Sequence, residues 1–226
     1  MIRGILFDKD GTLFDFQASW GAWAAALLHR LSPDPEPLAR RIGFDMATQR
    51  FAPDSPVIAS TSAEVADLML PDLPGWTKDD LLALMNRLSA DAPMVEAVPL
   101  VALLDHLRAR GLPLGVATND GEAPARRQLE RVGVDGRFAF IAGFDSGHGG
   151  KPAPGQLLAF CAATGLDPAH VAMVGDSAHD LHAARAAGMA AVAVLTGPAL
   201  RGDLEQLADV VLNDIGELPA WLDETG

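Results

Sequence analysis

Near its start the chain reads Gly4-Ile-Leu-Phe7-Asp8-Lys-Asp10-Gly-Thr12, an apolar run that ends in two carboxylates one residue apart. The run predicts a buried strand, and Asp8 and Asp10 then stand at its carboxyl end, where open α/β sheets bind their ligands. Crowded carboxylates repel each other, and a divalent cation relieves that repulsion. The stretch therefore predicts a metal-dependent site for phosphoryl transfer at the edge of a sheet.

The composition indicates a globular, acidic chain. It has 226 residues, of which 49% are hydrophobic, and a net charge of −13 from 30 acids against 17 bases. No dense Lys/Arg cluster stands out, which argues against nucleic acid or an anionic membrane as partner, because phosphate backbones need clustered cations. An anionic substrate must meet local cations or a metal ion, since the overall field repels it.

Cysteine usage and hydropathy bear on location. Cys161 is the single cysteine, so no disulfide can form within the chain, which fits a reducing cytoplasm. The start does not read as a signal peptide, because charged residues follow a short apolar run. No apolar stretch reaches the ~18 residues of a membrane span. We therefore expect a cytoplasmic protein.

A mainly helical stretch follows the first strand. Apolar spacing predicts helices over residues 20–31, 37–44, 62–70 and 77–89. Ser62 and Thr77 are the predicted N-caps of the last two helices. A loop containing Pro53 and Pro56 is expected over residues 46–58.

From residue 99 onward, predicted helices and strands alternate. Strands, including the first, are expected at residues 2–7, 114–118, 138–142, 171–174, 191–195 and 210–212. Helices are expected at residues 100–110, 123–132, 154–164 and 179–187. This alternation is typical of a parallel sheet with helices on both faces. We expect a Rossmann-like α/β core over residues 1–15 and 93–226, with an inserted helical domain over residues 16–92.

Four polar segments fall at predicted strand ends or in the loops that follow them. They are residues 8–10, Thr118-Asn119, Lys151-Pro152 and residues 175–180. In a doubly wound sheet these strand ends share one edge. Together they offer a carboxylate that can attack phosphorus, an acid that can transfer a proton, a hydroxyl and an ammonium for phosphate oxygens, and acids for Mg²⁺.

In this order, the four segments resemble the motifs of the haloacid dehalogenase superfamily of aspartyl-phosphate phosphatases, over essentially the whole chain. The helical insertion resembles the C1 cap of the phosphoglycolate phosphatase and β-phosphoglucomutase branch. The resemblance implies that Asp8 is the nucleophile and that Asp10 protonates the leaving oxygen and then activates water. Asp10 also argues against dehalogenation, because the halide-releasing members lack this second acid.

The resemblance also implies roles for the other motif residues. The implied catalytic residues are Asp8, Asp10, Thr118 and Lys151. The implied phosphate-binding residues are Gly11, Thr118, Asn119 and Lys151. The implied Mg²⁺ ligands are Asp8, Asp10, Asp176 and Asp180. Structural alternatives are a turn for Asn119 and a favourable acid at a helix N-terminus for Asp180.

Side chains around the motifs allow further predictions. Lys9 departs from the family pattern and is expected to form a structural salt bridge. Candidates for substrate contact, each with a solvated or packing role as the alternative, are Phe14, Phe16, Arg40, Arg41 and Arg50. Packing within the helical domain is expected for Trp20, Trp23 and Trp76. The pair His179 and His182, three residues apart beside acids, leaves zinc as a rival metal.

These expectations describe a Mg²⁺-dependent phosphatase of a small phosphomonoester, with 2-phosphoglycolate as the substrate that the branch suggests. The expected partner is a small phosphorylated metabolite, and the chain is expected to be a monomer or a homodimer. One alternative is a phosphotransferase like β-phosphoglucomutase, which returns the phosphoryl group to a sugar. The other is a non-enzymatic receiver-like module, although receivers lack an inserted helical domain and accept phosphate on an aspartate later in the chain.

Overall fold

A computed structural model describes residues 1–52, 54–58 and 60–225 of the chain. The strands are β1 Gly4–Phe7, β2 Phe44–Asp45, β3 Arg50–Phe51, β4 Leu114–Ala117, β5 Phe140–Ala142, β6 Val171–Gly175, β7 Ala190–Val194 and β8 Val210–Leu212. The α-helices are α1 Phe16–Leu31, α2 Glu36–Arg41, α3 Ser62–Met69, α4 Lys78–Ser89, α5 Leu100–Ala109, α6 Glu122–Arg131, α7 Gly155–Thr164, α8 Ala178–Ala187, α9 Arg201–Leu204 and α10 Leu218–Glu224. Within these described ranges, no helix is both long and apolar enough to cross a membrane.

Six of the strands form one parallel sheet in the order β5-β4-β1-β6-β7-β8. The first strand is central: Ile5 pairs with Leu114 of β4 on one side and with Ala172 of β6 on the other. The carboxyl ends of β1, β4 and β6 therefore lie side by side, which is the arrangement that the sequence predicts for the candidate site.

Helices cover both faces of this sheet. Successive side chains of β1 point to opposite faces, and each face packs against its own helices. Ile5 and Phe7 belong to a buried cluster that includes Leu104 of α5. Leu6 belongs to a separate cluster that includes Phe160 of α7. The predicted α/β class, with a parallel sheet between two layers of helices, is confirmed.

The segment from α1 to α4, residues 16–92, has a hydrophobic cluster of its own. Its fully buried members include Leu28, Leu81 and Met69. Where the segment joins the core, its two ends run together: Asp15 N donates to Val95 O at 2.8 Å. The segment, called the helical insertion below, is thus tied to the core by two adjacent connections.

The structure corrects the sequence prediction within the helical insertion. The helix expected over residues 37–44 ends at Arg41, because Gly43 takes a positive φ of 62°. Phe44 instead lies in β2, which pairs with β3 in antiparallel fashion, so residues 50–51 of the expected loop form a strand. This hairpin buries Phe44 and Phe51. Pro53 lies outside the described residues.

Most other element boundaries agree with the prediction to within a few residues. One predicted cap differs: Thr61, not Ser62, is the N-cap of α3, because its side chain accepts from Glu64 N while the Glu64 carboxylate accepts from Thr61 N. The other predicted cap, Thr77, accepts from Asp80 N at 3.1 Å and is confirmed. Helices α9 and α10 at the end of the chain have no counterpart in the prediction.

Candidate active site

The predicted site residues meet at the carboxyl edge of the sheet. Asp8 follows β1, Thr118 follows β4 and Asp176 follows β6, and all three line one cavity of about 140 Å³. Lys151 lines the same cavity from the loop before α7, and Asp180 lines it from the first turn of α8. The convergence that the strand ends predict is therefore present.

A buried lysine joins two of the acids. Lys151 Nζ lies 2.6 Å from Asp8 Oδ1 and 2.6 Å from Asp180 Oδ1. All three residues are buried, so both ion pairs are shielded from water. A charge pair in such surroundings is much stronger than one at the surface.

Asp176 adds a third carboxylate to this group. Asp8, Asp176 and Asp180 each offer one oxygen, and these oxygens lie within 4.8 Å of one another. Gly11, with a φ of 83°, passes so close that a Cβ there would collide with the Asp176 carboxylate. The tight turn after β1 therefore needs glycine in order to leave room for the acid.

Burial and the neighbouring carboxylates raise the pKa values of Asp8 and Asp176. Burial raises the pKa of Asp8 to about 7, against the opposing effect of Lys151. Burial, together with the charges of Asp8 and Asp180, also raises the pKa of Asp176 well above its usual value. Burial lowers the pKa of Lys151, but the two carboxylates outweigh it and the net shift is upward. With all three acids ionised, the one lysine would leave an excess of negative charge, and this repulsion adds to the effect of burial on Asp8 and Asp176.

Asp180 also closes the N-terminus of α8. Its Oδ2 accepts hydrogen bonds from Ser177 N at 3.1 Å and from Ser177 Oγ at 2.7 Å. Asp180 is therefore an acid at a helix N-terminus, which is the structural alternative that the sequence offers. The same carboxylate also pairs with Lys151 through its other oxygen. The capping interaction fixes the oxygen that faces the lysine.

Asn119 joins the second and third motifs. Its Nδ2 donates to Lys151 O at 2.9 Å, and its Oδ1 accepts from Lys151 N at 2.8 Å. Thr118 Oγ1 accepts from Asp120 N at 3.1 Å, and Gln156 Nε2 donates to Thr118 O at 3.0 Å. These contacts hold Lys151 and Thr118 in place; phosphate binding by Asn119 stays a prediction.

Asp10 lies outside the group of three carboxylates, although the sequence predicts it as a fourth metal ligand. Its Oδ2 lies 2.6 Å from Lys9 Nζ, and its Oδ1 accepts from Trp20 Nε1 at 2.8 Å. Lys9 also contacts Asp120 at 3.3 Å and Gln128 Oε1 at 2.6 Å, which confirms its predicted structural salt bridge. Asp10 still lines the cavity, so its side chain can meet a ligand there.

Two of these contacts have no counterpart among the predictions from the sequence. Trp20 packs within the helical insertion, as predicted, but it also reaches from α1 to a core acid. Gln128 reaches from α6 to Lys9. The first contact joins residues 10 positions apart and the second joins residues 119 positions apart, and no local pattern marks either of them.

The helical insertion supplies an apolar wall of the cavity. Six of its members are Trp23, Leu27, Ile42, Val65, Met69 and Met85. Phe16 also lines the cavity, as predicted, whereas the prediction for Phe14 is wrong because this side chain is wholly buried in the core.

The arginines predicted to contact substrate do not line this cavity. Arg41 pairs with Asp72 on the surface, and Arg40 and Arg50 line a separate, shallow pocket beside the β2-β3 hairpin. Among the described lining residues, Lys151 is the single Lys or Arg. The reason is topological: α2 and β3 present these arginines at the outside of the helical insertion.

The two histidines give no support to zinc. His179 lines the cavity next to Asp180. Across residues 1–52, 54–58 and 60–225, no cluster of potential metal-binding side chains contains His179 or His182. Carboxylate oxygens, which are the ligands of hard cations such as Mg²⁺, make up the cluster that is present.

Comparison with known proteins agrees with this geometry. The family model of haloacid dehalogenase-like hydrolases matches residues 2–188. A phosphoglycolate phosphatase of Chromobacterium violaceum is 34% identical over 221 residues, which cover 96% of this chain and 95% of that protein.

Two solved structures share the fold over nearly their whole length. CbbY from Rhodobacter sphaeroides in complex with phosphate has a TM-score of 0.75 at 20% identity, with 96% of each chain covered. β-Phosphoglucomutase from Clostridium difficile has a TM-score of 0.71 at 20% identity, with 99% of this chain and 96% of that chain covered. The family and branch predicted from the four motifs are thereby confirmed. The chain is an enzyme of the haloacid dehalogenase-like hydrolase family and belongs to its phosphoglycolate phosphatase and β-phosphoglucomutase branch.

Proposed function

We propose that the chain is a Mg²⁺-dependent phosphatase that hydrolyses a small phosphomonoester through a phosphoryl group held on Asp8. One observation carries the proposal: Asp8 lines the cavity beside the buried ammonium of Lys151 and within a group of three carboxylates. The lysine fixes the orientation of the Asp8 carboxylate and offsets the charge of an incoming phosphate. The phosphoglycolate phosphatase relative supports the same reaction class.

The reaction proceeds in two displacements at phosphorus. In the first, an oxygen of Asp8 attacks phosphorus, the bond from phosphorus to the alcohol oxygen breaks, and Asp10 gives that oxygen a proton. In the second, Asp10 takes a proton from a water molecule, the water oxygen attacks phosphorus, and the bond to Asp8 breaks. One water is consumed, and both carboxyl groups return to their starting states.

Asp10 is held in place for both proton transfers. Lys9 Nζ binds one of its oxygens at 2.6 Å, and Trp20 Nε1 donates to the other at 2.8 Å. Because Trp20 belongs to α1, the helical insertion takes part in orienting the acid. A proton donor held in one geometry transfers its proton without first having to reorganise.

The carboxylate group fits a magnesium ion. Mg²⁺ prefers oxygen ligands, and Asp8, Asp176 and Asp180 bring three carboxylates together around one lysine. We assign Asp8 and Asp176 as direct ligands of the ion. Asp180 is either a further ligand or the group that orients a bound water. Asp10 is a neighbouring acid that completes the predicted set. Bound there, Mg²⁺ would offset the charge on the phosphoryl oxygens.

The remaining motif residues bind the phosphoryl group. Lys151 supplies a fixed positive charge, and the Thr118 hydroxyl supplies a hydrogen bond from the end of β4. Gly11 allows the turn that keeps the space beside Asp176 open. Asn119 positions the loop that carries Lys151.

The name of the Chromobacterium relative makes 2-phosphoglycolate the first specific substrate to test. The test measures phosphate release from a panel of small phosphomonoesters with Mg²⁺, after EDTA treatment, and after Mg²⁺ is restored. We expect turnover with Mg²⁺, loss with EDTA and recovery on re-addition.

Asp8→Asn separates this mechanism from any other use of the cavity. We expect phosphate release to fall at least about 10⁴-fold, because an amide is a poor nucleophile. Asp223→Asn is the matched control, since its side chain is 71% exposed and pairs with Arg110 far from the cavity. Equal activity of the two variants, with equal melting temperatures, would refute the assignment of Asp8.

A further inference from the structure

The cavity has two chemically different parts. The motif residues at the sheet edge bring charge, and the helical insertion brings the apolar wall of Trp23, Leu27, Ile42, Val65, Met69 and Met85. The two parts belong to one continuous cavity, so a phosphate bound at Asp8 leaves the rest of the substrate against the apolar wall.

The described part of the cavity offers no unpaired Lys or Arg to a second anionic group of the substrate. Among the described residues that line the cavity, Lys151 is the single Lys or Arg, and it is occupied by Asp8 and Asp180. His179 lies on the sheet-edge side, in the first turn of α8 beside Asp180. A carboxylate on the organic part of the substrate would lose its water without gaining an ion pair, which is costly.

The apolar wall instead favours the binding of an uncharged group. Leu27, Met69 and Met85 are buried side chains of three different helices, α1, α3 and α4. Methionine is flexible and polarizable, so Met69 and Met85 can adapt to an irregular ligand shape. Ser60 and Ser62 also line the cavity, and because their hydroxyls already donate to Pro56 O and Asp120 Oδ1, each can accept a hydrogen bond from a substrate hydroxyl.

Resting on the proposed phosphatase activity, we propose that the substrate is a phosphomonoester of an uncharged, largely apolar alcohol, and that 2-phosphoglycolate is a poor substrate. The phosphate meets the sheet edge, and the alkyl or aryl part lies against the helical insertion. Selectivity then comes from apolar area buried at the wall and from the cost of burying a second charge there.

The test compares substrates that differ in one property at a time. Ethyl, butyl and hexyl phosphate have leaving groups of similar reactivity, so differences in kcat/KM report contacts of the chain. We expect kcat/KM to rise by up to about fourfold for each added methylene that the wall buries. Hexyl phosphate is then compared with the same ester carrying a terminal carboxylate, for which we expect kcat/KM to fall about tenfold or more.

If the apolar wall sets the preference for alkyl over carboxylate esters, a cation placed in that wall reverses it. Val65 is half-buried on α3 and lines the cavity, so Val65→Arg places a cation there without emptying the core. We expect Val65→Arg to lower kcat/KM for hexyl phosphate and to raise it for the carboxylate ester and for 2-phosphoglycolate. Val101→Arg, at a 43% exposed position on α5, is the matched control and leaves the ranking unchanged.

The outcomes separate the two proposals. A flat alkyl series in the wild-type enzyme, or a carboxylate ester or 2-phosphoglycolate that is turned over faster than hexyl phosphate, overturns the substrate class while phosphate release still supports the phosphatase. No Mg²⁺-dependent release from any ester, or release that Asp8→Asn leaves intact, overturns the proposed function itself. The wild-type series alone decides the substrate class if Val65→Arg does not fold.

Discussion

Two buried lysines pair with the acids of the Asp8-Lys9-Asp10 motif, Lys9 from within the motif and Lys151 from the loop before α7, and their surroundings differ. Lys151 lies between Asp8 and Asp180, with Asp176 as a third carboxylate, so the region carries excess negative charge beside the cavity. Lys9 is fully buried between Asp10 and Asp120, and Gln128 accepts a further hydrogen bond from it. The first region thus has three acids for one lysine, and the second has two acids for one lysine.

The two lysines therefore differ in what they do for the acids beside them. Burial lowers the pKa of Lys9, but Asp10 and Asp120 raise it to a net value above the usual one, so this side chain stays charged. Lys151 stays charged for the same reason. What distinguishes them is the neighbouring space: Lys151 lines the cavity, whereas Lys9 is not among the described residues that line it. We therefore assign the stabilisation of transition-state charge to Lys151 and the positioning of the Asp10 carboxylate to Lys9.

The largest expected effect is the loss of catalytic activity when Lys151 is replaced. Lys151→Met removes the cation beside Asp8, and we expect kcat/KM for a phosphomonoester to fall about 10³-fold, the size seen when a fixed charge-stabilising group is lost. Lys78→Met, in a surface pair with Asp67, is the matched control and is expected to keep full activity. Activity of Lys151→Met within a few fold of that control would remove the distinction between the two lysines.

Lys9→Met is expected to act first on stability. It leaves the half-buried carboxylates of Asp10 and Asp120 without their cation, and we expect the free energy of unfolding to fall by about 3 kcal/mol in a denaturant titration. Added Mg²⁺ is expected to recover stability in Lys151→Met and not in Lys9→Met, because the carboxylates that fit the ion surround Lys151. Equal recovery in both variants would contradict the assigned metal position.

Trp20→Phe tests the contact between the helical insertion and Asp10. The change keeps an aromatic ring and removes the 2.8 Å hydrogen bond from Nε1, so we expect kcat to fall about tenfold with little change in KM. Trp76→Phe, at a tryptophan of the same insertion that does not line the cavity, is the control. An unchanged kcat in Trp20→Phe would mean that Lys9 alone positions the acid.

The smallest expected effect is a pH-dependent thermal shift. The pKa of Asp8 is about 7 in the folded, cation-free protein and 3.8 in a model peptide, so its protonated form is favoured by folding. The cation-free protein therefore loses stability as the pH rises between these two pKa values. Below the higher value, Mg²⁺ must compete with a proton for the Asp8 carboxylate. We expect Mg²⁺ to raise the melting temperature more at about pH 8 than at about pH 5.5.

Asp176→Asn provides the control for that shift. It removes one of the three buried carboxylates, so the rise in melting temperature on adding Mg²⁺ is expected to shrink at both pH values. A wild-type shift that is larger at the lower pH, or one that Asp176→Asn leaves unchanged, would contradict the proposed ion site.

The sheet and its acidic edge could be predicted because they follow from local pattern plus one topological rule. Apolar runs mark β1, β4 and β6, and parallel pairing brings the residues after them, Asp8, Thr118 and Asp176, to one edge. The roles of these residues came from the resemblance of the motifs, which spacing alone does not supply.

The parts that escaped prediction depend on tertiary contacts. Strands β2 and β3 have two residues each, too few to show a period, and they form because Phe44 and Phe51 pack together. The side chain of Trp20 reaches Asp10 only because α1 packs over the sheet edge. The direction in which Arg40, Arg41 and Arg50 point depends likewise on how α2 and β3 are placed, which composition does not encode.

The most direct test of the central claim is to find the phosphoryl group itself. The enzyme is mixed with a slowly hydrolysed phosphomonoester and Mg²⁺, quenched in acid within the first turnover, digested, and mapped by mass spectrometry. We expect phosphate on the Asp8 side chain, in the peptide that carries it, and none there in Asp8→Asn. Phosphate attached to a different residue, or release of phosphate at the wild-type rate by Asp8→Asn, would contradict it.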